Sequence, residues 1–530
     1  MMGHQANYQN KFFITGFNLD KRIRHDHPLR KILEKIDFDF IYDEVKDSYG
    51  YKGNVSVPPP VILKMMLLLV LYNVRSEREL ISTIPERLDW LWFLGYDLED
   101  EIPNHSVLSK ARTRWGMKAF KNFFERIVWQ CVKAGLIDGR KVFVDASLID
   151  ADASNNSVVD THKLGKYLNK SYKRFENRLD EIKASKKTPA DSRYISTTDP
   201  DASVTRHSIG KPKLRYKTHR AVDEKHEVIT ATKVSPGSVD DGHVLEDMID
   251  AHEHNTQRKL ETAVADSKYG TKDNYLLCND RKIKAHIPSI EKTHRGSGRQ
   301  KGIFPKEAFS YDTEIDAFLC PVGETLRKKS YNKKRKHYEY KAPAGVCAQC
   351  ELRSKCTRSK DGRTLKRHVR QEELEVMVKK AESRKARRDI KHRQDLSERS
   401  FAWSTRYGYK RARWRNLWRM EIQDFLIAAV QNITILIKQP KDKMSKSNVR
   451  MEEVRTCQQK RTQFRDMGAA FSRLYGFNSI LSGIILLITL SQNIARSVRL
   501  KFRLQNPFEQ QPVDIGHVSV FWFAWKKGQV

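Results

Sequence analysis

The chain is 530 residues long and carries 99 Lys and Arg against 65 Asp and Glu, a formal charge of +34. That is far beyond the net charge of about 2 to 8 that keeps a small domain in solution, so the composition points to a polyanionic partner, nucleic acid first. The N-terminal MMGHQANYQNKFF lacks an apolar core and no run of about 18 to 20 apolar residues is apparent, which argues against secretion and a membrane. Seven cysteines, with Cys131, Cys278 and Cys457 isolated, fit a reducing compartment, and the expected location is the cytoplasm.

Pro58-Pro59-Pro60 ends whatever precedes it and launches the apolar stretch from Val61 to Tyr72, which reads as a buried helix. The stretch from Ile480 to Leu490 reads the same way. Ser76 ahead of Glu77 and Glu79 is a helix cap, and Pro103-Asn104-His105-Ser106 starts a further helix. Short helices joined by polar turns suit a helix-turn-helix reader of DNA, and equally a bundle without that role.

From Lys141 the pattern changes to strands. KVFVDASLIDADAS puts Asp145 at the end of a Val-Phe-Val run, so a strand is expected to deliver a carboxylate to a sheet edge; a turn cap is the plainer reading. KLRYKTHRAVD (Lys213 to Asp223) and EVITATKVS (Glu227 to Ser235) predict a hairpin. Before it, Leu164, Leu168, Tyr172, Phe175, Leu179 and Ile182 mark an amphipathic helix with a basic reverse face, which lies along a phosphate backbone or is simply solvated. A helix is expected from Asp240 to Glu253, then a short strand in ETAVAD ending at Asp266, then a strand in KAHIP (Lys284 to Pro288). Strands alternating with a helix predict an α/β or α+β layer, in which carboxylates at neighbouring strand ends converge.

Carboxylates about 4 Å apart at an effective dielectric near 20 repel by roughly 4 kcal/mol per pair. Divalent magnesium or manganese removes that penalty and bridges phosphate oxygens, so a DNA-cutting site can be built from acids alone. Asp145 and Asp266 are two candidates, and the third is Glu398 in RQDLSERSFAWSTRYGYKRARWRN, surrounded by Arg399, Arg406, Lys410, Arg411, Arg413 and Arg415. Taken locally, Glu398 also reads as an ion-paired surface carboxylate.

These segments, in order, resemble bacterial insertion-sequence transposases of the DDE class over most of residues 25–437. DHPLRKILEKIDFDFIYDEV, PPPVILKMMLLLVLYNVRSERELISTI and WFLGYDLEDEIPNHSVLSKARTRWG look like the helical N-terminal domain of that group. VFVDASLIDADAS carries the first Asp, Asp145; TTDPDASV with LRYKTHRAVD matches an inter-strand signature; TAVADSKYGTKDNY carries the second, Asp266; and SERSFAWSTRYGYKRARWRN through EIQDFLIAAVQNITIL resembles the block with the third acid, Glu398. The resemblance implies an α/β fold, a ribonuclease H-like mixed sheet flanked by helices, with an all-helical N-terminal domain. It further implies that Asp145, Asp266 and Glu398 hold two divalent cations, magnesium or manganese, for phosphodiester cleavage and strand transfer at the ends of the element. Relatives often carry an Arg four residues before the glutamate and a Lys seven after it; here those positions are Gln394 and Thr405, with Arg393 and Arg406 one residue away.

Lys217, His219, Arg406, Lys410, Arg411 and Arg413 are candidate phosphate contacts. Cys320, Cys347, Cys350 and Cys356 supply four thiols for a structural zinc, or are reduced buried thiols. The expected organisation is a helical DNA-binding domain over 1–135, a catalytic core over 136–290 and 392–438, a basic cysteine-rich insertion over 291–391, and an extension of unknown role over 439–530. The partner is double-stranded DNA, at element ends and target, engaged by a homodimer on paired ends, with no membrane. The alternatives are a catalytically decayed DNA-binding relic and a metal-dependent nuclease not engaged in transposition, including one that cuts RNA.

Overall fold

A computed structural model describes residues 2–3, 18–50, 53–160, 194–206, 211–293 and 302–438. The amphipathic stretch over 164–183 and everything from 439 on, Cys457 and Ile480 to Leu490 included, lie outside these residues.

The first part is helical, and its punctuation explains where each helix begins. α1 (Pro28–Lys35) and α2 (Phe40–Val45) precede α3 (Pro59–Leu71), whose prolines occupy the first turn, where a missing N–H breaks no intrahelical bond. Every residue from Pro59 to Val70 is buried. Ser76 caps α4 (Glu77–Thr83) by accepting from the Glu79 N–H at 3.2 Å. α5 (Leu88–Leu94) follows, then α6 (Ser106–Lys133), which is kinked at Gly116, where φ is positive.

A six-stranded mixed sheet comes next, with β1 (Lys141–Asp150) inside it. β2 (Ser203–Thr205) and β4 (Ile229–Pro236) both pair with β3 (Lys213–Asp223), so the expected hairpin is β3 and β4. β1 runs antiparallel to β3 and parallel to β5 (Thr262–Val264), which runs parallel to β6 (Lys284–His286). α7 (Leu245–Thr256) and α8 (Lys272–Asp280) connect these strands. α7 begins later than the Asp240 expected, because Asp241–His243 form a 3-10 turn first.

Alternation along β1 feeds two cores. Val142 and Val144 pack with Leu245, Met248 and Ala263, whereas Phe143 and Ile149 join the core that holds the N-terminal helices. The insertion has a sheet of its own, antiparallel, in the order β11-β10-β9-β8-β7. Its strands are β7 (Ser310–Asp312), β8 (Ala317–Leu319), β9 (Thr325–Asn332), β10 (His337–Lys341) and β11 (Thr364–His368), around Phe309, Phe318, Leu326, Tyr340 and Leu365. α9 (Gln371–Ala381), counted by composition with the insertion, instead turns Leu374, Met377 and Ala381 into the core with Val144.

α10 (Arg384–Thr405) and α11 (Leu417–Ile437) complete the described chain. α11 has 21 residues and, by length and composition alone, enough hydropathy to cross a membrane, though Glu421, Gln423, Asp424, Gln431 and Asn432 interrupt its apolar residues; 83% of its most apolar window is buried, against α3, α6 and β4, as in a core helix. Its start is held from a distance: Asp199 accepts from the Asn416 N–H at 3.1 Å and from the Tyr216 hydroxyl at 2.6 Å, and Asp201 accepts from the Leu417 N–H at 3.0 Å. The TTDPDASV segment therefore supplies negative charge at the N-terminus of a core helix.

Candidate active site

Strand register builds the site. Phe143 of β1 lies opposite Val264 of β5 in a parallel pair. Two residues further along the two segments stand Asp145 and Asp266, so both carboxylates leave on the face of Phe143 and Val264. Asp145 is the fifth residue of a ten-residue strand rather than its last. It is β5, ending at Val264, that opens the edge beside it. Burial raises the Asp145 pKa most; Arg393 opposes the rise and the neighbouring Asp266 adds to it. Asp266 caps the 3-10 turn Ser267–Tyr269, accepting from the Lys268 N–H at 3.0 Å.

α10 crosses this edge with residues four apart facing the sheet. Asp389 lies 2.6 Å from His286 Nδ1 and 3.3 Å from Lys141 Nζ; Arg393 donates to Asp145 Oδ2 at 2.5 Å; Ser397, one turn further, is buried. Glu398 stands one position on, about 100° around the helix axis. It is exposed and accepts from Gln394 Nε2 at 3.3 Å. The structure thus brings Asp145 and Asp266 together without Glu398, and among the described residues no three His, Cys, Asp or Glu side chains are grouped to hold a metal. Arg393, and not Gln394, provides the contact with Asp145.

A cleft of about 1380 Å³ opens past Asp145, floored by Ala146, Ser147 and Leu148 of β1 and walled by Lys217, Lys268, Thr405 and Lys410. Of the candidate phosphate contacts, Lys217 and Lys410 therefore line the cleft, and Arg406 is exposed. Arg411 pairs with Asp152 at 3.0 Å. Arg413 donates to Asn73 Oδ1 at 2.6 Å and to the Val74 carbonyl, tying the chain after α10 to the end of α3. His219 is fully buried between the Tyr269 hydroxyl and the Ser235 hydroxyl, each at 3.0 Å, and burial lowers its pKa to about 4, so it is a neutral core imidazole and not a phosphate ligand.

The four cysteines are half-buried and free, and Cys320 and Cys356 pack on the insertion's core. The Cys356 thiol is pushed up by burial and also by Cys347, Cys320 and Cys350, which places the four in one neighbourhood. Sequence reasoning missed Asp241, read as an ordinary helix start. It is buried against Lys217 and acts, with Asp145 and Asp266, on the buried Tyr269 phenol. Only the doubled Asp240-Asp241 ahead of Gly242 hinted at it.

Two family models match the chain: Transposase domain (DUF772) over residues 17–114 and Transposase DDE domain over residues 319–437. The first spans α1 to α5 and the start of α6; the second runs from the cysteine region through α10 and α11 and contains Glu398. No curated protein and no solved structure matches. A transposase domain over the N-terminal helices, ahead of a DDE transposase domain that runs to α11, supports an insertion-sequence transposase of the DDE class.

Proposed function

We propose that the chain binds the ends of its own insertion sequence as double-stranded DNA and catalyses metal-dependent cleavage and strand transfer from a ribonuclease H-like core. The observation that supports this reading is the Phe143–Val264 register, which puts Asp145 and Asp266 on one face of the sheet, next to a cleft whose lining includes Lys217, Lys268 and Lys410. Two half-buried acids on one face suit magnesium or manganese, which would polarise the scissile phosphate and activate its nucleophile. Asp145 and Asp266 would hold the metal, with Glu398 as the third acid once α10 turns it inward. Arg406 and Lys410 neutralise phosphates along the cleft, residues 1–135 recognise the end, and two copies pair two ends in the bacterial cytoplasm. A zinc held by Cys320, Cys347, Cys350 and Cys356 would brace the insertion.

A second reading, a DNA-binding relic, is favoured by the exposed Glu398 and by Arg393 occupying Asp145. Labelled end DNA incubated with purified protein and magnesium or manganese separates the two: binding without metal-dependent nicking sinks the enzyme. Nicking that survives Asp145→Ala and Asp266→Ala removes this site, survival of Glu398→Ala alone removes only the third acid, and cutting of RNA in preference to DNA ends removes the substrate.

A further inference from the structure

Resting on that cleavage site, we infer that Asp241, neutralised by Lys217, is a positioning residue that sets Lys268 for the DNA phosphate beside the scissile bond. Asp241 is 3% exposed and opens the 3-10 turn that follows β4. Two lysines share its carboxylate. Lys217 Nζ lies 2.6 Å from Oδ1 and donates to the Val239 carbonyl at 2.7 Å, while Lys268 Nζ lies 3.5 Å from Oδ2. One lysine comes from β3 and the other from the turn that Asp266 caps, and all three side chains line the cleft.

The two turns fit closely. A Cβ on Gly242 would come within 2.8 Å of Thr271 Cγ2 and 3.2 Å of the Lys268 carbonyl oxygen. The Asn274 amide clamps them by donating to the Gly242 carbonyl at 2.9 Å and the Tyr269 carbonyl at 2.8 Å. Asp241 is thereby held in a fixed relation to Asp266.

One carboxylate against two ammonium groups leaves one positive charge, and exposure shows where it resides. The Lys217 side chain is 13% exposed and that of Lys268 is 68% exposed. Lys217 compensates a buried acid that would otherwise be costly, and Lys268 faces solvent two residues after Asp266. Untethered, a lysine on an exposed turn sweeps a wide volume; the Asp241 carboxylate narrows that volume to the side of the acid pair, and restricted geometry is what accelerates a bound reaction.

The test uses Asp241→Asn and Lys268→Gln, singly and together, in the full chain, with labelled end DNA and magnesium. DNA binding and single-turnover nicking at saturating protein are measured separately. By charge alone, Asp241→Asn tightens DNA binding and does not slow nicking. Positioning predicts instead that binding is unchanged or tighter while nicking slows about tenfold, and that Lys268→Gln slows nicking by a similar factor. The double variant is then no slower than the slower single, since both remove one device. Multiplied losses in the double variant, or full-rate nicking by Lys268→Gln, overturn the inference; the second holds even if Asp241→Asn fails to fold, because Lys268 is exposed. Asp145→Asn and Asp266→Asn run alongside: if they still nick, the proposed active site falls, and if they do not while Lys268→Gln nicks at full rate, only the role of Asp241 falls.

Discussion

Arg220 lies opposite Asp145 in the antiparallel pair of β1 and β3, and it joins that pair to both closing helices. It is 1% exposed, donates to Asp424 at 3.0 Å and to Gln431 at 2.9 Å on α11 and to the Ser404 hydroxyl on α10, and lies under the rings of Phe401 and Tyr409. Arg220→Met removes the cation and leaves Asp424, also 1% exposed, with the Thr232 hydroxyl as its remaining side-chain donor. Breaking one side of a buried pair costs about 3 to 5 kcal/mol, chiefly from the stranded charge, whereas replacing both sides with apolar groups is often neutral. Arg220→Met is therefore expected to lose about 3 to 5 kcal/mol in urea denaturation followed by tryptophan fluorescence, and Arg220→Met with Asp424→Leu to recover most of it. A single variant that loses under about 1 kcal/mol, or a double variant no more stable than the single, refutes the claim that this ion pair holds α10 and α11 to the sheet.

Glu421, in the first turns of α11, has its pKa raised to about 7, by burial before all else. A carboxyl group whose folded pKa lies above its ordinary 4.5 contributes stability that is full below that value and lost as pH climbs through about 7. Glu421→Gln should thus be neutral near pH 4 and stabilising at pH 8, by up to about 3 kcal/mol; equal urea midpoint differences at both pH values contradict the assignment. Arg393→Gln takes the guanidinium off Asp145, so calorimetry at pH 8 should find manganese binding tighter than in the parent chain, and unchanged binding would show that Arg393 does not compete with the cation. Native mass spectrometry should find one zinc per chain, lost in Cys350→Ser, and a zinc-free parent protein removes that metal from the insertion.

Much of the site was legible because strands alternate. Asp145 after Val-Phe-Val and Asp266 after Ala-Val-Ala were found from the local pattern, and their meeting was expected. What the pattern could not supply was register: that Phe143 faces Val264 is a pairing between residues far apart in sequence, and on it depends whether the two acids meet. It also hid how far β1 runs, since Ala-Ser-Leu-Ile-Asp after Asp145 is not a typical strand and pairs along its whole length with β3.

Glu398 shows a harder limit. A helix's inward face is usually found by its apolar stripe, yet α10 mixes Asp389, Arg393, Ser397, Ser400 and Ser404 with Ala386 and Leu396 on the side toward the protein, while Lys391, Gln394, Asp395 and Arg399 crowd the exposed side. Two apolar residues among five polar ones mark that face only weakly. Partners mark it better: His286 and Lys141 hold Asp389, Asp145 holds Arg393, and Arg220 holds Ser404, so the rotation of α10 is fixed at three points along its length. An apolar face would tolerate some slip against the sheet, whereas directional bonds do not. Turning Glu398 toward Asp145 would therefore require the contacts of Asp389 and Ser404 to break as well as the Arg393–Asp145 ion pair.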